Sequence, residues 1–401
     1  MTTSSGSPAP TISPDQLLAL DAILTDDERA TARTVREMLD DHVRPNIGRW
    51  YLDGTLPARE LTKLFGDLGL LGMHLQGYGC AGTTAGMYGV ACRELEAVDG
   101  GIRSLVSVQG SLAMYAIHRF GSEEQKQAWL PRMAAGEVIG CFGLTEPDVG
   151  SDPSSMRTYA TRDGSDWVLR GGKMWITNAP TADVGVVWAR TDTGVRGFVV
   201  PMDTHGVSAP EVAGKLSLRA SVTGEVVLDD VRLPADAVLP GVVGLKGPLS
   251  CLTEARFGIV WGVTGALRDS LTTALEYAAG RIQFQRPIAS FQLTQAKFAD
   301  AAVAYGKAVL LAVHLARIKD GAVPGARITP ELISAGKLDN VRTALEVARS
   351  MRTVLGGSGI TVDFSPLRHA TNLETVLTYE GTQEVHQLVL GKALTGINAF
   401  A

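Results

Sequence analysis

One segment of the chain joins hydroxyl groups to a turn that could approach a ligand. It runs from Cys141 to Asp152, where a strand-like start leads into a turn containing Pro and Gly, with hydroxyls at Thr145 and Ser151. Backbone N–H groups around Gly150 could hold a phosphate, because glycine lets the backbone approach closely. An ordinary polar connector is the alternative interpretation of these residues.

A second segment, Lys173–Asn178, places Trp175 two residues before Thr177. A tryptophan offers a flat apolar face, and a threonine beside it offers a hydroxyl, so the pair could bind a ring-shaped cofactor. A tryptophan that packs in a core is the alternative.

The third segment, Thr378–Thr382, contains Glu380 followed directly by glycine in an apolar helical setting. Burial raises the pKa of a carboxyl group toward the operating pH, which is what a base that removes a carbon-bound proton requires. A solvated glutamate at the start of a helix is the alternative interpretation.

Three successive regions must position these segments. Spacings of three and four residues between apolar positions predict helices in the first region, and short β-branched runs between turns predict an antiparallel sheet in the second. Helical periodicity then returns and predicts a four-helix bundle, with no βαβ alternation or dinucleotide-binding glycine motif. The boundaries that we predict are a disordered tail over 1–13, a helical domain over 14–136, a β domain over 137–248 and a helical bundle over 249–401.

Composition and charge exclude several classes of function. The chain has 401 residues, with 37 Lys and Arg against 42 Asp and Glu, so its formal net charge is −5. This mild acidity disfavours nucleic acid or an anionic membrane as a partner. Four cysteines without a CxxC pair favour reduced thiols and no metal site. The start of the chain lacks the features of a signal peptide, and the apolar run 308–318 is too short to span a bilayer, so we expect a cytoplasmic protein.

Taken together, the motifs resemble those of the acyl-CoA dehydrogenase flavoenzymes along nearly the whole chain after the tail. The matching stretches are 120–126, 144–147, 150–152, 173–178, 256–258, 281–284, 355–359 and 379–382. The resemblance implies a mainly α fold with an N-terminal helical domain, a middle antiparallel β domain and a C-terminal four-helix bundle. It also implies FAD as cofactor, an acyl-CoA substrate, electron-transferring flavoprotein as partner and a homotetramer.

Within that family the segment 96–109 resembles the part of glutaryl-CoA dehydrogenases that receives the free carboxylate of the substrate. A buried arginine is costly unless an anion meets it, and Arg103 could bind a carboxylate bidentately while Ser107 adds a hydroxyl. The alternative is that Arg103 pairs with Glu96 or Asp99 on a surface helix. The activity implied is oxidative decarboxylation of glutaryl-CoA to crotonyl-CoA and CO2, in lysine or tryptophan degradation.

The resemblance also assigns roles residue by residue. Glu380 would be the catalytic base that removes the α-proton. The substrate contacts would be Glu96, Arg103, Ser104, Ser107, Ser151, Thr253, Arg256 and Gly381. The FAD contacts, partly across a subunit interface, would be Phe142, Leu144, Thr145, Ser151, Trp175, Ile176, Thr177, Arg281, Phe284, Gln292, Gly356, Gly357, Thr382 and Glu384.

Two positions depart from the family pattern near the expected flavin contacts. Gln285 stands where the family usually has glycine, and Thr353 stands where many relatives have glutamine. Three other functions keep most of the pattern: a short-chain or non-decarboxylating dehydrogenase, a flavin oxidase or monooxygenase, and a silent acyl-CoA-binding protein. The first would not need Arg103, the second could dispense with the base, and the third would lack the base or a flavin contact.

Overall fold

The N-terminal region is helical, as the apolar spacing predicts. The structure, a computed structural model, describes residues 12–400, so the predicted tail lies outside the described residues up to position 11. Thr25 and Ser122 each begin a helix with a capping box, in which the hydroxyl accepts from the backbone three residues on. The helices are α1 Pro14–Leu17, α2 Asp26–His42, α3 Arg44–Asp53, α4 Ala58–Asp67, α5 Ala85–Val98, α6 Gly100–Ser107, α7 Tyr115–Phe120 and α8 Glu123–Ala134.

The middle region forms a seven-stranded sheet in the order β1-β4-β2-β3-β7-β6, with β5 paired to β4. Its strands are β1 Gly140–Gly143, β2 Tyr159–Asp163, β3 Asp166–Thr177, β4 Val184–Thr191, β5 Gly194–Pro201, β6 Val207–Ser208 and β7 Thr223–Leu233.

The sheet is mixed, so the prediction of a wholly antiparallel sheet is wrong at one edge. β1 runs parallel to β4, with Gly140 opposite Val184, and β2 touches β4 in parallel at a single pair. The remaining pairs are antiparallel. A parallel pair needs a long crossover, and the β2–β3 hairpin lies in the chain between β1 and β4, which gives the required length.

The C-terminal region contains the four predicted helices and one more. The additional helix, α12, covers Ser365–Thr378 and leads directly to Glu380. A short hairpin of β8 and β9 follows the first helix. The elements are α9 Lys246–Gly280, β8 Ile282–Gln283, β9 Arg286–Pro287, α10 Gln292–Lys319, α11 Pro330–Val354, α12 and α13 Gln383–Thr395.

Among the described residues, α10 is the one helix that is long and apolar enough, by length and composition alone, to cross a membrane. It has 28 residues, and 61% of its most apolar window is buried inside the protein. Buried helices of soluble proteins meet the same criteria, so this finding is weak evidence for a membrane span.

Buried ion pairs join the helical regions. Glu94 of α5 is 1% exposed and accepts from Arg36 of α2 at 3.0 Å and from Arg268 of α9 at 2.9 Å. Arg93 adds a contact at 3.2 Å. Although burial alone would raise the pKa of Glu94, these arginines hold it well below its usual range. The carboxylate therefore stays charged and links α2 and α5 to the C-terminal region.

We expect Glu94→Gln to destabilise the protein strongly. The amide keeps the shape but removes the carboxylate that three arginines share, so the buried Arg93 loses its ion pair and Arg268 keeps only Asp15, at 3.8 Å. Removing one partner of a buried ion pair typically costs about 3–5 kcal/mol. Glu374→Gln is the matched control, because Glu374 pairs with Arg349 on the surface, where such pairs contribute about 0–1 kcal/mol. Urea unfolding followed by circular dichroism measures both. Equal, small losses in the two variants would contradict the expectation.

Candidate active site

Glu380 lies in the segment Tyr379–Thr382 that joins α12 to α13. Its backbone is left-handed, with φ of 53°, and Gly381 follows with φ of 95°. A non-glycine residue with positive φ is uncommon, and residues strained in this way cluster at functional sites. Thr382 fixes the end of the segment, because its hydroxyl accepts from Val385 N and caps α13. Glu380 is therefore held in a loop between two helices.

The Glu380 carboxyl group combines burial with nearby positive charge. Oε2 is buried and has no hydrogen-bond partner in the described part of the chain. Burial raises the pKa of Glu380 above its ordinary value, and the positive charges of Arg103, Lys337 and Arg256 oppose this rise. A carboxylate with a raised pKa and an unoccupied oxygen is suited to accept a proton from a bound molecule.

Arg103 of α6 is 1% exposed and reaches the loop that carries Glu380. Its Nε donates to Glu96 Oε2 at 2.8 Å, and its Nη2 donates to the hydroxyl of Tyr379. The pairing with Glu96 that the sequence allowed does form, but it is buried and not on a surface helix. Arg103 is thus connected to the residue that directly precedes the candidate base.

Two serines of α6 add free hydroxyl groups to the same region. Ser104 and Ser107 are buried, and neither hydroxyl has a partner among residues 12–400. Ser107 follows Arg103 by four residues, so the two share one face of the helix. Opposite them, α9 has glycine at position 262, where a Cβ would lie 2.2 Å from Glu96 Oε2. Because glycine has no side chain at this position, α9 can pack closely against the Arg103–Glu96 pair.

The predicted α9 residues Thr253 and Arg256 differ in their contacts. Arg256 Nε donates to the backbone oxygen of Glu380 at 2.6 Å. Thr253 lies about one turn earlier, half-buried, with its hydroxyl bonded to Leu249 O at 3.0 Å. The structure therefore brings Arg256 to the base and leaves Thr253 on the neighbouring helix surface.

The segments around Thr145 and Trp175 come together in the sheet. Met174 N donates to Thr145 O at 2.9 Å, which joins the residues after β1 to β3. The pairing of β3 with β7 shifts register between Lys173 and Ile176, so Trp175 lies in a bulge with φ of 63°. A bulge changes the direction of a side chain, and Trp175 is 57% exposed. The alternative of a core tryptophan is therefore wrong.

The other predicted cofactor residues divide into two groups. Phe142, Leu144 and Ile176 are buried and Thr177 is half-buried near the bulge, whereas Ser151 is exposed. A second group lies on an exposed surface at the end of α9, the start of α10 and the end of α11, with Phe284 87% exposed. This group contains Arg281, Phe284, Gln292, Gly356 and Gly357. Thr382 and Glu384 stand at the start of α13.

Comparison with known proteins identifies the family. The family models for the N-terminal, middle and C-terminal domains of acyl-CoA dehydrogenases match residues 25–137, 141–231 and 243–395. The human mitochondrial short-chain specific acyl-CoA dehydrogenase is 34% identical over 366 residues, which cover 89% of this chain and 87% of that protein. The chain belongs to the acyl-CoA dehydrogenase family. This membership confirms the predicted fold and acyl-CoA dehydrogenase activity.

Solved structures agree with this family. A glutaryl-CoA dehydrogenase from Mycobacterium smegmatis, solved in complex with FADH2, is 61% identical, with a TM-score of 0.95 over 98% of this chain and 100% of that chain. The butyryl-CoA dehydrogenase from Megasphaera elsdenii is 29% identical, with a TM-score of 0.87 over 92% of this chain and 98% of that chain.

The residues of this acyl-CoA dehydrogenase fit a flavin with an adenine end. A large exposed aromatic residue at a bulge, Trp175, with apolar residues beside it, is suited to a flat ring. At the second group, a Cβ added to Gly356 or Gly357 would meet nothing within 4 Å, so the backbone there is open to a ligand. Arg281 supplies a positive charge on that surface. The two groups could therefore hold the ring and the adenine part.

The departure at Gln285 has a conformational consequence. Phe284 and Gln285 form the two-residue turn between β8 and β9, and both are left-handed, with φ of 50° and 62°. Such a turn favours glycine, which has no Cβ penalty at positive φ. Gln285 therefore keeps the hairpin at the cost of local strain. Thr353 is exposed and accepts from Lys297 Nζ at 2.9 Å, so it belongs to the α10–α11 contact.

Sequence reasoning missed two residues behind the Glu380 loop. Lys337 of α11 donates to the backbone oxygens of Tyr379 and Gly381, at 2.6 and 2.7 Å. His386 of α13 is buried, its Nδ1 lies 3.0 Å from Ser334 Oγ, and its Nε2 has no partner among the described residues. A lysine among the apolar residues of a helical pattern was the available signal. Its target could not be read from spacing, because α11 and the loop are distant in the chain.

Proposed function

We propose that this acyl-CoA dehydrogenase oxidises and decarboxylates glutaryl-CoA to crotonyl-CoA and CO2. The observation that carries the proposal is Arg103, a buried arginine connected through Tyr379 to the candidate base. Arg103 already pairs with Glu96 through Nε, and a terminal carboxylate would add a second charge-assisted contact at its remaining N–H groups and would give the Ser104 and Ser107 hydroxyls a partner. An apolar acyl tail would leave those hydroxyls without partners. The 61% identical glutaryl-CoA dehydrogenase supports the same substrate.

The charges around the loop favour an anionic substrate tail. Arg103, Arg256 and, below pH about 7, Lys337 supply three positive charges, and the carboxyls of Glu96 and Glu380 supply at most two negative ones. Because excess charge in a dry site is costly, a ligand carboxylate near Arg103 would restore the balance.

FAD is the cofactor of this enzyme, and when bound it supplies the acceptor for the β-hydride of the substrate. Glu380 would remove the α-proton, which the thioester carbonyl makes acidic. An α-proton is far less acidic than a carboxylic acid, so the developing enolate needs hydrogen bonds that are stronger in the transition state. Loss of CO2 from the γ-carboxylate of the oxidised product, with uptake of one proton, then gives crotonyl-CoA.

A short-chain, non-decarboxylating dehydrogenase is the second candidate. It is favoured by the 34% identity to the human short-chain enzyme. Such an enzyme would form no CO2 and would not need the buried Arg103.

We propose electron-transferring flavoprotein as the electron acceptor. Oxygen uptake equal to substrate consumption would instead support an oxidase.

A homotetramer would complete the adenine end of the cofactor site. Phe284 is 87% exposed and Leu293 is 82% exposed, and a second copy of the chain would cover such an apolar surface.

We expect Phe284→Ser to weaken both assembly and FAD retention. Light scattering and the ratio of flavin to protein measure these, with Leu52→Ser, at an exposed leucine of α3, as control. A parent enzyme that is monomeric and retains FAD would contradict this proposal.

Replacing the candidate base should stop the chemistry and leave binding intact. In Glu380→Gln the amide keeps the shape but cannot accept the proton, and general bases commonly contribute about 10²- to 10⁴-fold. Anaerobic flavin bleaching by glutaryl-CoA, with FAD content and substrate binding measured separately, tests this. Glu374→Gln, on the surface of α12, is the control. Flavin reduction at the parent rate in Glu380→Gln would remove Glu380 from the mechanism.

Arg103→Gln should reduce turnover of glutaryl-CoA much more than turnover of butyryl-CoA. Loss of a charge-assisted contact costs about 1.5–3 kcal/mol, which is roughly ten- to a hundredfold in kcat/KM. Ser107→Ala should act in the same direction more weakly, and it breaks no ion pair. The readout is kcat/KM for both substrates, with CO2 release. Equal losses on both substrates would make Arg103 structural and favour a short-chain acyl-CoA dehydrogenase.

A further inference from the structure

Lys337 is a buried cation whose hydrogen bonds go to the loop that carries Glu380. It lies on α11 and is 2% exposed. Its Nζ binds the backbone oxygens on either side of Glu380, those of Tyr379 and Gly381. Arg256 binds the backbone oxygen of Glu380 itself. Two cations from different helices therefore hold three consecutive carbonyl groups of the loop.

The position of Lys337 is costly for stability alone. Burial lowers the pKa of Lys337 to about 7, because the ammonium loses its water. The hydrogen bonds it makes in return go to neutral carbonyls, which offset desolvation less than a carboxylate would. A buried ionic group can often be replaced by an apolar side chain of similar volume without loss of stability. Its effect on the loop gives this lysine a role that an apolar residue could not supply.

We propose that Lys337 is a positioning residue for the base: it holds Glu380 in its left-handed conformation and keeps a positive charge beside the carboxylate. This inference rests on the role of Glu380 in the proposed function. Without the hydrogen bonds from Lys337, the strained loop could relax to a backbone conformation that a non-glycine residue prefers. Small displacements of a reacting group lower the reaction rate strongly, since a misplacement of 1 Å can reduce it about 10²-fold.

The same lysine also supports the ring of Tyr379. The ring centroid lies 5.7 Å from Arg103 Cζ and 5.8 Å from Lys337 Nζ, and both are within the range of cation–π attraction. Because the Tyr379 hydroxyl contacts Arg103, Lys337 helps to align the Arg103 side chain with the base.

The pH dependence gives a readout that a purely structural lysine would not change. The ionisable groups around the Glu380 carboxyl are Arg103 of α6, Arg256 of α9, Lys337 of α11, His386 of α13, Glu96 of α5 and the adjoining Tyr379. Burial holds the pKa of His386 at about 3 and raises that of Tyr379 to about 12, so neither titrates near neutral pH. Lys337 itself has a pKa of about 7, so its charge acts on Glu380 below that pH and is lost above it. Flavin reduction rises with pH as Glu380 loses its proton. Removing the Lys337 charge raises the pKa of Glu380 and moves this rise to higher pH.

The test uses the FAD-loaded enzyme and its variants, with anaerobic flavin bleaching per bound flavin measured across pH. Both glutaryl-CoA and butyryl-CoA serve as substrates. We expect flavin reduction in Lys337→Met to be about 10- to 100-fold slower. Its acid limb, the rise in rate as Glu380 loses its proton, should lie at higher pH. Lys337→Arg should recover most of the rate. Lys337→Gln, which keeps one donor group, is measured as well in case the methionine variant folds poorly. Lys319→Met is the control, because Lys319 at the end of α10 pairs with Glu254 of α9 at 2.8 Å and makes no hydrogen bond to the Glu380 loop among the described residues.

The outcomes separate this inference from the proposed function. Slow reduction with a shifted acid limb in Lys337→Met or Lys337→Gln, and parent behaviour in Lys319→Met, supports the positioning role. Parent rates and an unshifted pH profile in both Lys337 variants overturn it, even if the yield of holoenzyme falls. Parent rates in Glu380→Gln would refute the base itself, whereas a slow Glu380→Gln beside normal Lys337 variants would refute only the role of Lys337.

Discussion

Desolvation of charged groups is the constraint on which the site depends. Burying an ion costs several kcal/mol of free energy unless a partner of opposite charge meets it. Some of the partners here lie close in the chain, such as Glu96 for Arg103, but those that join the helices come from distant parts of it. Asp99 accepts from Gly101 N and so caps α6, while Arg368 and Asn372 of α12 donate to its other oxygen, each at 3.0 Å. The helix that carries Arg103 and the helix that leads to Glu380 are therefore fixed at one buried carboxylate.

This arrangement extends to the middle region. Asn372 also accepts from Leu218 N at 2.8 Å, and Leu218 lies in the loop before β7. Separating the regions would leave Asp99 or Arg368 without a partner, so the cost of exposing the site is electrostatic as well as hydrophobic. Next to Ser107, the seven-residue π-helix Val108–Met114 interrupts the helix, and such irregular turns are frequent near functional sites.

The sequence predicted most of the helices and the segments that meet at the site, because those features are local. Apolar spacing predicted the helical character of the first and third regions, and the segment around Glu380 was singled out by a glutamate followed by glycine in an apolar setting. What spacing could not show was pairing over long distances. The parallel edge at β1, the bulge that exposes Trp175 and the contact of Lys337 with the Glu380 loop all depend on where remote elements meet. Each shows tertiary structure overriding a local pattern.

The opposing effects on Glu380 also connect recognition with proton transfer. Burial raises its pKa, and Arg103 is among the charges that lower it. A substrate carboxylate at Arg103 would bring a negative charge beside the same loop and offset that cation. The pKa of Glu380 would then rise, which makes it a stronger base when the substrate is in place. An uncharged acyl tail would leave the cation unopposed and Glu380 a weaker base. A single buried arginine could thus select the substrate by its carboxylate and adjust the base that acts on it.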